Sequence, residues 1–161
     1  LTLAAHSDKN EAYRVILSHT WQKERGYALR LIVIEDEPFI ALDLQTLAMA
    51  AGHEVLGVAD SLIDAVDLAS RRAPEAALVD LNLRDGMTGV EISRRLANSG
   101  VAVGFITGNA EEIPADFAGA VAVVEKPFTP DGVQELLDLL QSTVGGGAPP
   151  PQRFARMAPP R

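Results

Sequence analysis

Four stretches of the chain carry side chains suited to phosphoryl chemistry at or just past the ends of apolar runs: IEDEP at 34–38, LVDLNL at 78–83, FITGN at 105–109 and EKPF at 125–128. Glu35 and Asp36 follow the first run, Asp80 closes the second, Thr107 closes the third, and Lys126 lies just past the fourth. Carboxylates gathered in one place repel one another. Two unit charges about 4 Å apart interact by about 4 kcal/mol at an effective dielectric near 20. Such a set calls for cations. Lys126 offers one, and a hard divalent ion with oxygen ligands offers another. Mg²⁺ suits a site of this kind because it accepts a few carboxylates while keeping waters and a phosphate oxygen. With charge offset in this way, Asp80 can serve as a carboxylate nucleophile, the Lys126 ammonium and the metal can balance charge on a transferring group, and the Thr107 hydroxyl can donate to a phosphoryl oxygen.

These residues converge only if the chain folds so that strand ends meet. Runs rich in Val, Ile, Leu and Ala recur at Arg30 to Ile34, Glu54 to Ala59, Ala76 to Asp80, Val101 to Thr107 and Ala120 to Val124. Each is nearly continuous in apolar residues, as strands of a parallel sheet buried on both faces should be. Segments of helical period alternate with them. The first opens at Pro38, presents Ile40, Leu44, Leu47 and Ala51, and ends at Gly52. Ser61 with Asp64 and Thr88 with Glu91 read as capping boxes for the second and third helices. Thr129 and Pro130 open a last helix, with Val133, Leu136, Leu137 and Leu140 at i, i+3, i+4 and i+7. The spacing predicts an open, doubly wound α/β fold with a five-stranded parallel sheet, in which ligands sit beyond the carboxyl ends of the strands. Between Thr107 and the fifth strand there is room only for Gly108 to Gly119, and Pro114 interrupts it, so a short or irregular fourth helix is expected.

Composition bounds the rest. The chain has 161 residues, enough for one domain with its own core, and 14 basic against 22 acidic residues give a formal charge of -8. That balance argues against nucleic acid or an anionic membrane as the main partner. Without cysteine there are no disulfides or thiolate sites, and three scattered histidines do not suggest zinc. No apolar run reaches the roughly 18 residues needed to cross a bilayer, and a cytoplasmic location is expected. Residues 1–29 read as an extension with a helix through Tyr13, Ile16 and Leu17 capped by Asp8 and Glu11; Trp21 and His19 read as packing residues. Residues 30–143 form the domain. Residues 144–161, with five prolines and three arginines in the closing GGGAPPPQRFARMAPPR, read as a disordered tail.

The ordered set IEDEP, LVDLNL, FITGN and EKPF resembles the receiver domain of two-component response regulators over about residues 30 to 143. The resemblance implies Asp80 as phosphoacceptor, charged from a phosphohistidine on a sensor histidine kinase or a histidine phosphotransfer protein. It implies Asp36 and Asp80 as direct Mg²⁺ ligands, the backbone carbonyl of Asn82 as a third, and Thr107 and Lys126 as phosphoryl contacts. Glu35 stands where an aspartate is commoner, and its extra methylene suits a metal-bound water. A cis Lys126–Pro127 bond is expected, the exception that proline permits. FITG, the IEDEPFIALDL opening and the shortened segment before the fifth strand are similar to the FATGUY subgroup, found as stand-alone stress regulators and as the receiver half of anti-sigma antagonists. Two positions depart from the pattern: Val123 replaces the usual switch aromatic, and Asn109 rather than tyrosine follows Gly108. The first departure shifts attention from an aromatic switch to the 108–119 segment as the moving part.

The closing segment is too short and too rich in proline to read as a DNA-binding helix-turn-helix, so output through protein contact, or service as a phosphate sink, is expected. Two other readings compete. A Mg²⁺-dependent phosphatase on a similar sheet would place a second aspartate two residues after the nucleophile, where this chain has Asn82. A binding module with a vestigial pocket would not need Asp36, Asp80, Thr107 and Lys126 together. Glu37 reads as the acidic first turn of the helix that Pro38 starts.

Overall fold

In the computed structural model, which describes residues 27–146 and 155–158, strands and helices alternate in the expected order. The extension helix and the residues Tyr13, His19 and Trp21 lie outside the described residues. The parallel strands are β1 (Arg30–Ile34), β2 (Glu54–Ala59), β3 (Ala76–Val79), β4 (Ala102–Thr107) and β5 (Ala122–Glu125). The helices are α1 (Pro38–Ala50), α2 (Leu62–Arg72), α3 (Gly89–Asn98) and α4 (Pro130–Gly145).

Successive residues of the central strands serve opposite faces, and both faces are covered. Leu31 and Val33 of β1 pack with α1 and α4, whereas Ile32 and Ile34 pack with α2 and α3. The same alternation places Ala76 and Leu78 on the first side and Ala77 and Val79 on the second. This explains why the central strands β3 and β4 read as unbroken apolar runs: neither face meets water, and each large aliphatic side chain buried contributes about 1.5–3 kcal/mol.

Strand order is β2-β1-β3-β4-β5-β6. The chain leaves β1 in one direction for β2 and returns across it to β3, so a crevice opens between the loops after β1 and β3. That is where Glu35, Asp36 and Asp80 emerge.

The sixth strand is a correction to the sequence reading. β6 (Ala155–Met157) pairs antiparallel with β5, matching Ala122 with Met157, Val123 with Arg156 and Val124 with Ala155. The sheet is therefore not purely parallel, and part of the segment read as a disordered tail is ordered. Proline is depleted from strands because it lacks an N–H, but the three residues of β6 contain none, and an edge position needs only one row of bonds. α4 also runs two residues past the expected domain end, to Gly145.

Local signals hold unevenly. Ser61 caps α2 as read, accepting from the Asp64 N–H at 3.3 Å, and Thr129 caps α4, accepting from the Gly132 N–H at 3.0 Å. Thr88 does not cap α3. Its backbone is already helical (φ -86, ψ -8) and its hydroxyl donates instead to Asp85 at 2.6 Å. The expected short fourth helix is two 3₁₀ turns, Ala110–Glu112 and Phe117–Gly119.

Candidate functional site

β1 delivers the acidic pair. The Glu35 N–H still donates to the Ala59 carbonyl at 2.9 Å, so Glu35 extends the β1–β2 ladder and its side chain is fixed at the sheet end, only 2% exposed. One carboxylate oxygen accepts from the Glu37 N–H at 3.1 Å and the other from Lys126 Nζ at 2.7 Å. Glu37 occupies the capping position of α1, one residue before the first turn, and makes no side-chain cap bond.

Asp80 follows β3 in the same way. Its N–H donates to the Ile34 carbonyl at 2.9 Å, which holds the ends of β1 and β3 side by side. Oδ1 accepts from the Leu81 N–H at 2.7 Å and Oδ2 from Lys126 Nζ at 2.8 Å. The Lys126 N–H donates to the Thr107 carbonyl at 2.9 Å, which sets Lys126 at the end of β4, on the side where both carboxylates emerge; the Lys126–Pro127 bond is cis.

One carboxylate oxygen each from Glu35, Asp36 and Asp80 lie within 4.8 Å of one another, with Asp36 half-buried and the other two buried. This all-oxygen set is the kind a hard divalent cation takes. One ammonium offsets three carboxylates only in part, so the pocket keeps a negative balance that favours a further cation. Burial pushes the Glu35 carboxyl above its usual range, and the hydrogen bonds from Lys126 and the Glu37 amide do not fully counter it. Burial opposes the charge on Lys126, yet its bonds to Asp80 and Glu35 outweigh that and hold the ammonium above its ordinary value.

Thr107 is fully buried at the end of β4, and its Oγ1 accepts from the Asn109 N–H at 3.2 Å. A hydroxyl that accepts in this way keeps a hydrogen to donate. Asn82 is half-buried between buried Leu81 and Leu83, in the loop after Asp80. A cleft of about 440 Å³ opens on the Glu35 and Asp36 side, continuing past Asp60, Asp64 and Asp67 between α1 and α2 without touching Asp80 or Lys126. The structure thus brings Glu35, Asp36, Asp80 and Lys126 together, with Thr107 joined to Lys126 through the backbone.

Sequence reasoning missed the residues that set the loop after Asp80. A Cβ at Gly89 would fall on the Asp80 carbonyl oxygen, so α3 starts as close to Asp80 as only glycine allows. Leu83 and Gly86 exchange backbone hydrogen bonds at 2.8 and 2.9 Å. Asp85 accepts from the Leu62 N–H at 2.9 Å, and Arg84 pairs with Asp60 and Asp64, both at 2.9 Å. The Asp-Gly pair at 85–86 was the available signal for a tight turn.

A doubly wound α/β sheet with carboxylates and one lysine at its carboxyl end defines a class of phosphoryl-handling proteins. Residues 31–138 match the model for the response regulator receiver domain. The chain belongs to that family. It is 35% identical over 113 residues to the phyllosphere-induced regulator PhyR of Methylorubrum extorquens, covering 68% of this chain and 42% of that protein. The crystal structure of the response regulator PhyR from Brucella abortus superposes with a TM-score of 0.65 at 31% identity, covering 85% of this chain and 56% of the other. The anti-anti-sigma factor PhyR from Bartonella quintana gives 0.64 at 27%, covering 86% and 57%. The chain thus spans about half the length of these relatives. A receiver domain is a signalling module, and no helix among the described residues is long and apolar enough to cross a membrane.

Proposed function

We propose that Asp80 is the phosphoacceptor of a Mg²⁺-dependent phosphorelay, charged by a sensor histidine kinase or a histidine phosphotransfer protein in the cytoplasm. The observation that carries this reading is the convergence of Asp80 and Glu35 on Lys126 Nζ at 2.8 and 2.7 Å, with an Asp36 oxygen in the same cluster. An Asp80 carboxylate oxygen attacks the phosphorus of the donor; the P–N bond of phosphohistidine breaks, and the imidazole leaves as the acyl phosphate forms. Asp36, Asp80 and the Asn82 carbonyl would hold Mg²⁺. Glu35, with its longer side chain held by Lys126 and the Glu37 amide, would act on it through a water. When bound, the ion neutralises charge on the transferring group. Lys126 shifts from the carboxylates to the phosphoryl oxygens, and Thr107 donates its hydroxyl hydrogen to one of them.

Asn82 supports a reversible acceptor over a phosphatase: at the position where a phosphatase of similar fold would place its acid it offers an amide, which cannot protonate a leaving alkoxide. Output passes through protein contact or the domain drains a kinase. The likeness to PhyR proteins supports a stress-response regulator, with this chain as the receiver portion of an anti-sigma antagonist as the second reading. The test is to incubate the protein with Mg²⁺ and acetyl phosphate or beryllofluoride and to follow the adduct by mass spectrometry and fluorine NMR. One adduct is expected on the native chain and none on Asp80→Asn. Equal labelling of both proteins excludes Asp80 as the acceptor. Asp36→Ala should weaken Mg²⁺ binding in calorimetry by roughly tenfold or more, a loss of at least about 1.4 kcal/mol.

A further inference from the structure

Arg156 joins two parts of the molecule that the proposed transfer reaction does not itself use. It lies on β6, opposite Val123 of β5. Its guanidinium stands 5.5 Å from the centroid of the Phe117 ring and donates to the Ala110 carbonyl at 3.4 Å. One side chain therefore spans both 3₁₀ turns of the 108–119 segment.

That segment is held in an unfavourable conformation. Phe117, Ala118 and Gly119 have φ of 55°, 50° and 81° in succession. Only the third can adopt a left-handed φ freely; each non-glycine residue there costs about 1–3 kcal/mol. Side chains from outside compensate. Ser93 of α3 donates to the Ala118 carbonyl at 3.0 Å, Arg94 pairs with Asp116 at 2.8 Å, and Arg156 closes the segment from the opposite side.

β6 is itself lightly anchored. It contributes three residues to the ladder, its Ala155 N–H donates to Glu135 of α4 at 3.3 Å, and the following Ala158 N–H donates to the Val121 carbonyl at 2.8 Å. Ala155 is buried on the α1/α4 side of the sheet, while Arg156 reaches the opposite side. This short strand covers the β5 edge and is the same element that clamps the strained segment.

The path to the acceptor is short. Thr107 Oγ1 accepts from the Asn109 N–H, and Ala110, whose carbonyl Arg156 holds, comes next. We infer that Arg156 is a positioning residue and β6 a latch. With Asp80 unmodified, β6 covers the β5 edge and fixes the 108–119 segment. A phosphoryl group on Asp80 engages the Thr107 hydroxyl, draws Asn109 and Ala110 with it, removes the carbonyl from Arg156 and frees β6. The inference rests on the phosphoacceptor reading. It identifies the intramolecular contact through which that reading would change the surface of the domain, and it needs no aromatic at Val123.

The test uses the full chain and hydrogen exchange read by mass spectrometry. Beryllofluoride with Mg²⁺ should speed exchange about tenfold or more in peptides covering 108–121 and 155–158 while leaving β1 and β3 unchanged. Arg156→Ala should do the same over 108–121 without any adduct. Release is reciprocal: if the adduct opens the latch, removing the latch favours the adduct by the same factor. Arg156→Ala should therefore bind beryllofluoride about tenfold tighter, and Arg156→Lys, which keeps the cation but not the planar fork, should fall between it and the native chain. A merely structural role would weaken binding or leave it alone. An adduct on Asp80 with unchanged exchange overturns the latch and spares the acceptor reading. No adduct at all overturns both, and unaltered exchange in Arg156→Ala overturns the clamp.

Discussion

The loop after Asp80 and the segment after Thr107 both leave strand ends at the same pocket, yet they are tied to the rest of the domain differently. Residues 81–88 approach backbone closely, with Gly89 abutting the Asp80 carbonyl and Leu83 and Gly86 exchanging paired bonds, while the Arg84 and Asp85 side chains tie them to the start of α2. Residues 108–119 keep backbone bonds within their two 3₁₀ turns, and side chains reaching in from α3 and β6 hold their left-handed run. A close backbone approach leaves one solution. Side-chain clamps can be released one at a time, so the loop after Asp80 should be the stiffer of the two and the segment after Thr107 the looser.

Two glycine substitutions put that contrast to its strongest test. Gly89→Ala drives a methyl group into backbone that cannot yield, and the expected loss is above about 3 kcal/mol or failure to fold. Gly108→Ala meets nothing within 4 Å and its φ is not positive, so stability should change by less than about 1 kcal/mol. Urea denaturation measures both. Comparable losses at the two positions would mean that the two segments do not differ in rigidity.

Lys126 bridges the two, and its removal ranks next. Lys126→Met leaves buried Glu35 and Asp80 facing each other without their cation, at an expected cost of about 3 kcal/mol. Mg²⁺ should recover part of this, because a second cation can take up the same charge. The midpoint of thermal unfolding should therefore rise more with Mg²⁺ in the variant than in the native chain. An equal or smaller rise would show that the metal does not share the charge that Lys126 neutralises.

How legible these features were in the sequence depends on how local their causes are. β1 and β2 begin and end where their apolar runs do, and the Ser61 and Thr129 caps are visible because a cap involves residues three apart. The acidic pocket was legible through type and order: each site residue sits at a strand end, and a parallel sheet brings strand ends together. Thr88 was misread because spacing does not reveal that its own backbone is already helical (φ -86, ψ -8), a conformation in which it makes no cap bond; its hydroxyl donates to Asp85. β6 was illegible for a different reason. Three residues in a proline-rich segment carry no period, and their pairing is decided by the open edge of β5 some thirty residues away. Gly89 could be seen as a glycine but not as a close approach, since what it approaches is the backbone of Asp80 nine residues earlier.

The smallest expected effect lies outside both segments and is read through pH. His53 follows α1, is 8% exposed, and its Nδ1 accepts from the Leu29 N–H at 3.1 Å, a bond that only the neutral ring can take. Burial lowers its pKa from 6.5, and the charge of Asp138 opposes that only in part. Below the unfolded value the unfolded chain therefore binds the proton that the folded chain refuses. Stability from this site is fully present above about pH 6.5 and declines as pH falls toward the lowered folded value. Glu35 titrates with the opposite sign, since its folded pKa is raised from 4.5, but it does so equally in native and variant chains. The difference between native and His53→Gln thus isolates the histidine. Between pH 7.5 and 5.5 the urea midpoint of the native protein should fall further than that of His53→Gln. If the two fall together, the folded ring takes up the proton as readily as the unfolded one, and the Leu29 N–H does not hold it neutral.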